Sequence, residues 1–464
     1  MALIWVEGFT GERALAPLWR QCAVARARSE DKQLTASVRG AAREELIKAE
    51  EKYLAVVLEA TTALAERANA GCARTHALIV GVGDYKTEIQ KGVYRGAGIE
   101  ALTTSVLGAW SFTEWILTKF QHPDRPLGSV DLITSPAPEQ GAWRPTKDVA
   151  LQLGLPVNLD QTLPTEPATF KNIEGAFGKW LRRAGTLAKN AAFFYFSGHG
   201  IWKSELLLLP EDAQLPNTAQ GAANLIAVEQ TQKYMFNKQP SVQCFFLDVC
   251  QETPLAVLEN LAISPGEPLC RPANAPAIPL RDAWRYCGSC TGRRAYGPHD
   301  GPPYFTQELM NCLERRAVDP TAENVLAVTT TSLRIALDAA ASSRSEREKK
   351  ELSFSARVDD TNFSAELSQA QDPLEVFVKL SCTPPSTMEN AKLYVKADLA
   401  EIFRSTPLRK EWCISVSQKD WQAGANFDSL FKCEPLKFKP VPPLHRVRLQ
   451  VKSQASDPDT TGLS

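Results

Sequence analysis

Phe193-Phe-Tyr-Phe-Ser-Gly-His-Gly200 and Phe245-Phe-Leu-Asp-Val-Cys250 are the stretches that decide the fold. Each is a near-continuous apolar run, the pattern of a strand buried on both faces of a parallel sheet. Each also stops at reactive side chains: His199 between two glycines in the first, Asp248 and Cys250 in the second. In open α/β sheets the ligand crevice lies beyond the carboxyl ends of the strands. Were these strands neighbours, imidazole and thiol would face each other across that crevice, as a cysteine nucleophile and its proton acceptor and donor. Glycine at 200 lets the backbone approach a substrate carbonyl, which makes the N–H groups of Gly200 and Cys250 candidate oxyanion donors.

Working outward, His76-Ala-Leu-Ile-Val-Gly81 and Val130-Asp-Leu-Ile-Thr134 read as further buried strands, and 99–120 and 172–184 as helices between them. Strands alternating with helices predict an α/β domain over 72–337, a mostly parallel sheet with helices on both faces. Within it, 135–168 is rich in Pro, Gly and polar residues and is expected as a surface loop. Before the domain, Val38, Ala42, Leu46, Ala49, Tyr53, Val57, Thr61 and Leu64 recur every three to four residues, so 1–71 reads as a helical N-terminal segment. After it, the charge run 342–351 and the Ser- and Asp-rich residues that follow suggest a linker over 338–372. Period-two stretches at 374–380, 391–395, 412–416 and 445–451 suggest a small β-rich C-terminal domain over 373–464.

Composition narrows the function. Lys plus Arg number 52 against 53 Asp plus Glu in 464 residues, so the balance gives no electrostatic case for a dedicated nucleic-acid binder. No apolar run approaches the ~20 residues of a membrane helix. The N-terminus carries Glu7 and Glu12 and lacks a basic flank, so no secretory signal is expected. Eleven cysteines are scattered from Cys22 to Cys433, with Cys287 and Cys290 forming a lone Cys-x-x-Cys, and there are five histidines. That spacing favours neither a disulfide scaffold nor a structural zinc site, and a reducing, cytoplasmic location is expected. Cys244, Cys287, Cys290 and Cys312 are read as structural thiols.

At these residues the chain resembles the caspase-like cysteine peptidases, in particular the bacterial, metacaspase and paracaspase branches. The resemblance spans about 72–335. His76–Gly83 with Tyr85 looks like the first strand and its exit, and Arg95-Gly-Ala-Gly-Ile-Glu-Ala101 resembles the stretch that opens the first helix. Ala168–Phe177 looks like the helix before the histidine strand, Tyr195–Gly200 is similar to the Tyr-Phe-Ser-Gly-His-Gly signature, and Leu207–Ala213 to the Leu-Leu-Pro-x-Asp piece after it. The 51-residue separation of His199 from Cys250 is close to the spacing of about 50 in caspases. Two features depart from the family: Asp-Val-Cys-Gln-Glu stands where animal caspases have Gln-Ala-Cys-x-Gly, and Glu100 where Asp is usual.

The resemblance implies a cysteine endopeptidase acting through Cys250 and His199 on a protein substrate, without a cofactor; it leaves calcium dependence open. It also implies a pocket for a basic P1 side chain formed by Asp248 and Glu100, with Ser289 lining the substrate groove. Asp248, two residues before Cys250, would share the thiol's face on an extended segment. A Lys or Arg would relieve the repulsion between two carboxylates through charge-assisted bonds. Animal caspases instead hold Asp at P1 with arginines, and Arg293 and Arg294 keep that alternative in play. By the same resemblance, the terminal segments would bind a regulatory or sensor protein, and the role would be that of an effector protease in bacterial stress or anti-phage defence. A catalytically silent caspase-fold scaffold is the competing class. An α/β-hydrolase is disfavoured because no Gly-x-Ser-x-Gly elbow occurs in the sheet region.

Overall fold

The computed structural model describes residues 3–6, 35, 37–38, 40–45, 71–85, 101–137, 140–152, 165–214, 223–235, 240–251, 266–272, 281–298, 300–361, 363–397, 400–405, 411–427 and 431–453. The chain divides into two compact units, one of residues 1–307 with 356–363 and one of 308–355 with 364–464.

In the first unit the elements run β1 (Leu3–Val6), β2 (Thr75–Val82), α1 (Thr103–Thr118), β3 (Leu127–Ser135), α2 (Lys147–Gln152), α3 (Phe170–Ala184), β4 (Ala191–Gly198), β5 (Gly200–Trp202), β6 (Leu206–Leu208), β7 (Ile226–Ala227), α4 (Val228–Met235), β8 (Val242–Val249), β9 (Asp282–Cys287) and the first turn of α5 (Tyr304–Asn311), whose residues from Glu308 on belong to the second unit. The chain then passes through β10 (Ala327–Thr329) and α6 (Thr330–Glu348) before β11 (Ser355–Thr361) joins the first unit's sheet. That sheet has seven strands in the order β1-β3-β2-β4-β8-β9-β11. The pairs β3-β2, β2-β4, β4-β8 and β8-β9 are parallel and β1-β3 is antiparallel.

Strands β2, β3, β4 and β8 are buried along their whole length, as their unbroken apolar runs require. Alternate aromatics go to opposite faces. Phe112 of α1 stacks on Tyr195 at 4.7 Å and lies 6.0 Å from Phe246, while Phe177 and Trp180 of α3 meet Phe194 at 5.6 and 6.3 Å. The face under α1 therefore carries Tyr195 and Phe246, and by the same alternation Asp248. Helix α3 starts where Thr169 accepts a hydrogen bond from the Asn172 N–H at 3.3 Å.

Between α3 and β3 lies a buried ion pair, Arg183 with Asp131, and Arg183 Nε also donates to Ser129 Oγ at 3.1 Å. Burial pushes the Asp131 carboxyl up and the Arg183 charge opposes it. His76 Nδ1 is 2.9 Å from the same Ser129 hydroxyl, and burial, helped by Arg183 and Arg74, holds His76 down at about 3, so its ring is neutral. Arg183→Ala would strand the Asp131 carboxylate and is expected to lower unfolding stability by about 3–5 kcal/mol. Urea denaturation checks this, and a loss below about 1 kcal/mol would contradict it.

The second unit contains β10, α6, β12 (Glu366–Gln369), β13 (Glu375–Thr383), β14 (Lys392–Ala397), β15 (Ala400–Ser405), β16 (Trp412–Ser417), β17 (Trp421–Asn426), β18 (Phe431–Cys433), β19 (Leu436–Phe438) and β20 (Leu444–Ser453). Two four-stranded sheets, β16-β13-β20-β18 and β15-β14-β17-β19, share a core that includes Val378, Leu380, Leu393, Val395, Ile414 and Val447. The expected β-rich C-terminal region is therefore present. Among the described residues no helix is long and apolar enough to cross a membrane.

Three expectations are corrected. Residues 338–372 are not a linker: α6 runs to Glu348, β11 lies in the seven-stranded sheet, and β12 pairs antiparallel with β10. The reason is that α6 buries small residues, Ala336, Ala339, Ala340 and Ala341, and pairs the buried Arg344 with Glu308 at 2.7 Å. Such a seam looks unpatterned in composition. Residues 3–6 form a strand although 1–71 reads as helical; residues 40–45 are helical, and most of the remaining segment lies outside the described residues. The 135–168 stretch contains the short helix α2.

Candidate active site

Strands β4 and β8 are adjacent, parallel and in register, with Ser197 opposite Asp248 and Gly198 opposite Val249. His199 and Cys250 are the next residues on the two strands, so the sheet brings both to the same carboxyl end. The backbone at His199 is fixed twice. Its N–H donates to Tyr85 Oη at 2.7 Å, and its carbonyl accepts from the Leu209 N–H at 3.1 Å. The Tyr85 ring lies 5.0 Å from the imidazole, and burial pushes the Tyr85 phenol far up, so it stays protonated.

Cys250 is half-buried. Its Sγ accepts a hydrogen bond from the Ala295 N–H at 3.2 Å, and the Ala295 carbonyl is 4.0 Å away. Both backbone groups of Ala295 therefore face the sulfur and fix its position. The segment carrying Ala295 is tied to the residue after the thiol: Gln251 N–H donates to the Arg293 carbonyl at 3.0 Å, and the Gly292 N–H to the Gln251 carbonyl at 2.8 Å. Ser289 serves this brace. It is fully buried and donates to the Val249 carbonyl at 2.9 Å, while its own carbonyl accepts from Gln251 Nε2 at 2.5 Å. Its hydroxyl holds the strand end that carries the thiol.

Gly200 packs directly on the same strand end. A Cβ at 200 would stand 2.6 Å from the Cys250 carbonyl oxygen and 3.0 Å from Val249 Cβ. Backbone would have to move, so Gly200→Ala is expected to lower kcat/KM by at least about tenfold with the fold retained, as checked by circular dichroism beside the assay. Unchanged kcat/KM would contradict this.

Asp248 is 3% exposed. Burial is the main cause pushing its carboxyl up to about 7, opposed by hydrogen bonds from Thr306. Oδ2 accepts from the Thr306 N–H at 3.0 Å and from Thr306 Oγ1 at 2.5 Å. Oδ1 has no hydrogen-bond partner among the described residues. Glu100 lies outside the described residues. Arg293 and Arg294 are exposed in the segment that flanks Cys250. Cys244, Cys287 and Cys312 are buried, as structural thiols would be, and Cys290 is half-buried. Among the described residues no cluster of three or more His, Cys, Asp and Glu is arranged to hold a metal ion.

Sequence reasoning missed Ala295 and Thr306 altogether, and gave Tyr85 no role beyond the strand exit. Ala295 acts through its backbone, which no side-chain motif reports. Thr306 stands 58 residues beyond Asp248, so the two meet only through the fold.

Residues 131–361 match the family model for the caspase domain, and that match ends where β11 ends. An uncharacterized protein of Sinorhizobium fredii, y4kE, is 25% identical over 220 residues, 47% of this chain, and the match spans 58% of that protein's length. Caspase-1 from Spodoptera frugiperda is 11% identical with a TM-score of 0.35, covering 65% of this chain and 92% of its own. Taken with the family match, the mostly parallel sheet flanked by helices places the region from β3 to β11 among the caspase domains: the chain carries a caspase-like peptidase domain.

Proposed function

We propose that this chain is a cysteine endopeptidase in which Cys250 is the nucleophile and His199 its proton acceptor and donor. The observation that carries the proposal is the in-register pairing of β4 with β8, after which His199 and Cys250 follow as neighbours. In the first half-reaction His199 takes the Cys250 proton and Sγ attacks the scissile carbonyl carbon. The tetrahedral oxyanion is held by the N–H groups of Gly200 and Cys250. His199 then gives its proton to the departing amine, leaving a thioester. In the second half-reaction His199 takes a proton from water, which attacks the thioester and releases the acid and the free thiol. The chemistry itself calls for no cofactor.

For specificity, the proposal is cleavage after Arg or Lys, with Asp248 as the carboxylate that meets the P1 cation and Glu100 as its companion. A buried carboxylate with one unpartnered oxygen supports this, since a guanidinium or ammonium would supply the missing donor. The proposal extends to a cytoplasmic effector protease in bacterial stress or anti-phage responses, governed by a sensor or regulatory protein bound through the terminal segments. The test is a peptide library diverse at P1, incubated with wild type and with Cys250→Ala. Cleavage after Arg and Lys by the wild type alone is expected, and the same cleavage by Cys250→Ala would refute the proposal.

A further inference from the structure

The two oxygens of Asp248 are used differently. Oδ2 takes both hydrogen bonds from one residue, the N–H and the hydroxyl of Thr306. Thr306 Oγ1 lies 2.5 Å from Tyr195 Oη. Because the Thr306 hydroxyl gives its proton to the carboxylate, Tyr195 must be the donor to Thr306. The result is a directed chain, Tyr195 O–H to Thr306 O–H to Asp248 Oδ2. Its far end is fixed by the Phe112 ring stacked on Tyr195 at 4.7 Å. Two donors use both lone pairs of Oδ2, and Oδ1 is left. Oδ1 is buried beside Gly288, where an added Cβ would stand 2.7 Å from it and 3.1 Å from Phe305 Cβ, so only glycine leaves room next to that oxygen.

We infer that Thr306, backed by Tyr195, is the positioning residue of the specificity pocket: it occupies Asp248 Oδ2, keeps the carboxylate charged, and leaves Oδ1 as the acceptor for a basic P1 side chain. This rests on the proposal that Asp248 meets the P1 residue. The electrostatics agree with the geometry. Burial raises the Asp248 carboxyl to about 7, and both Thr306 hydrogen bonds pull it down. From β4, Tyr195 faces the group as a neutral donor, its phenol raised by burial and by the Asp248 charge. On the β9 side and on α5, Gly288 and Phe305 bring no charge. Cys250 follows two residues on, and Glu100 lies outside the described residues.

Thr306→Val keeps the shape and the backbone N–H but removes the hydroxyl donor. Asp248 should then ionise at higher pH, because a hydrogen bond that favours the charged form is lost. The measurement is kcat/KM against pH for matched substrates with Lys and with an uncharged residue at P1. The ratio of the two cancels the titration of His199, which both substrates share, and kcat/KM reports groups of the free enzyme. In wild type the ratio should rise through about pH 7, where Asp248 ionises. In Thr306→Val the rise should move up by about one pH unit, a loss of about fivefold at pH 7 that nears tenfold at lower pH and that alkaline pH restores. Thr306→Ser should retain the wild-type profile. A profile unmoved in Thr306→Val, or a Thr306→Ser as shifted as the valine variant, overturns the inference. Should Thr306→Val fail to fold, Tyr195→Phe is read in its place, with a smaller shift of the same sign expected and no shift overturning the inference. A wild type with no preference for basic P1 would refute the Asp248 proposal itself. The carboxyl titration of Asp248 by 13C NMR then tests the positioning alone, with an equal midpoint in wild type and Thr306→Val overturning it.

Discussion

Cys250→Ala and His199→Ala are each expected to lower kcat/KM by at least about 10⁴-fold, and the double variant by little more than either single one. In the proposed mechanism nucleophile and base act as one unit, so removing either removes the same transition state. Fold should survive both changes. Cys250 is half-buried at a strand end, and the hydrogen bonds of the His199 backbone to Tyr85 and Leu209 do not depend on its side chain. Thermal unfolding beside the assay separates the two effects: near-wild-type Tm with no turnover is the expected pair of results. Substantial turnover by Cys250→Ala would remove Cys250 from the chemistry.

Asp248→Asn is expected to lower kcat/KM for basic P1 substrates by at least about tenfold, or roughly 1.4 kcal/mol, when measured above pH 7.5 where the wild-type carboxylate is ionised. Asparagine keeps the shape and an acceptor oxygen for Thr306 but removes the charge that a buried ammonium or guanidinium needs. Substrates with a small uncharged P1 residue should change much less. Being a ratio, this comparison is not imitated by a general loss of stability. Glu100→Gln should act in the same direction with a smaller effect. If wild type prefers Asp at P1, Arg293 and Arg294, exposed in the segment beside Cys250, become the residues to replace.

The core of the fold and the placement of His199 and Cys250 at the ends of adjacent strands were legible because strands buried on both faces announce themselves as unbroken apolar runs. Phe193–Phe196 and Phe245–Leu247 contain no polar interruption, and each ends at the residues of interest. What joins those ends is less legible. Tyr85, Thr306 and Ala295 reach the site from other parts of the chain, and local pattern carries no information about such contacts. Asp248 illustrates the limit: its place on the α1 face of the sheet follows from strand alternation, but the capture of one oxygen by Thr306 does not. The segment 338–372 was misread for a different reason. A helix that buries alanines and neutralises Arg344 against Glu308 has a polar composition, whereas its buried face is set by partners elsewhere in the chain.

The measurement that tests the central claim most directly is covalent capture. The wild-type chain is incubated with a peptidyl chloromethyl ketone bearing Lys at P1, and the adduct is mapped by peptide mass spectrometry. The account predicts a single adduct on Cys250, formed slowly or not at all in His199→Ala and blocked by competing basic peptide. An adduct on Cys72, Cys290 or another thiol with Cys250 unmodified, or labelling of Cys250 at the same rate in His199→Ala, would contradict it.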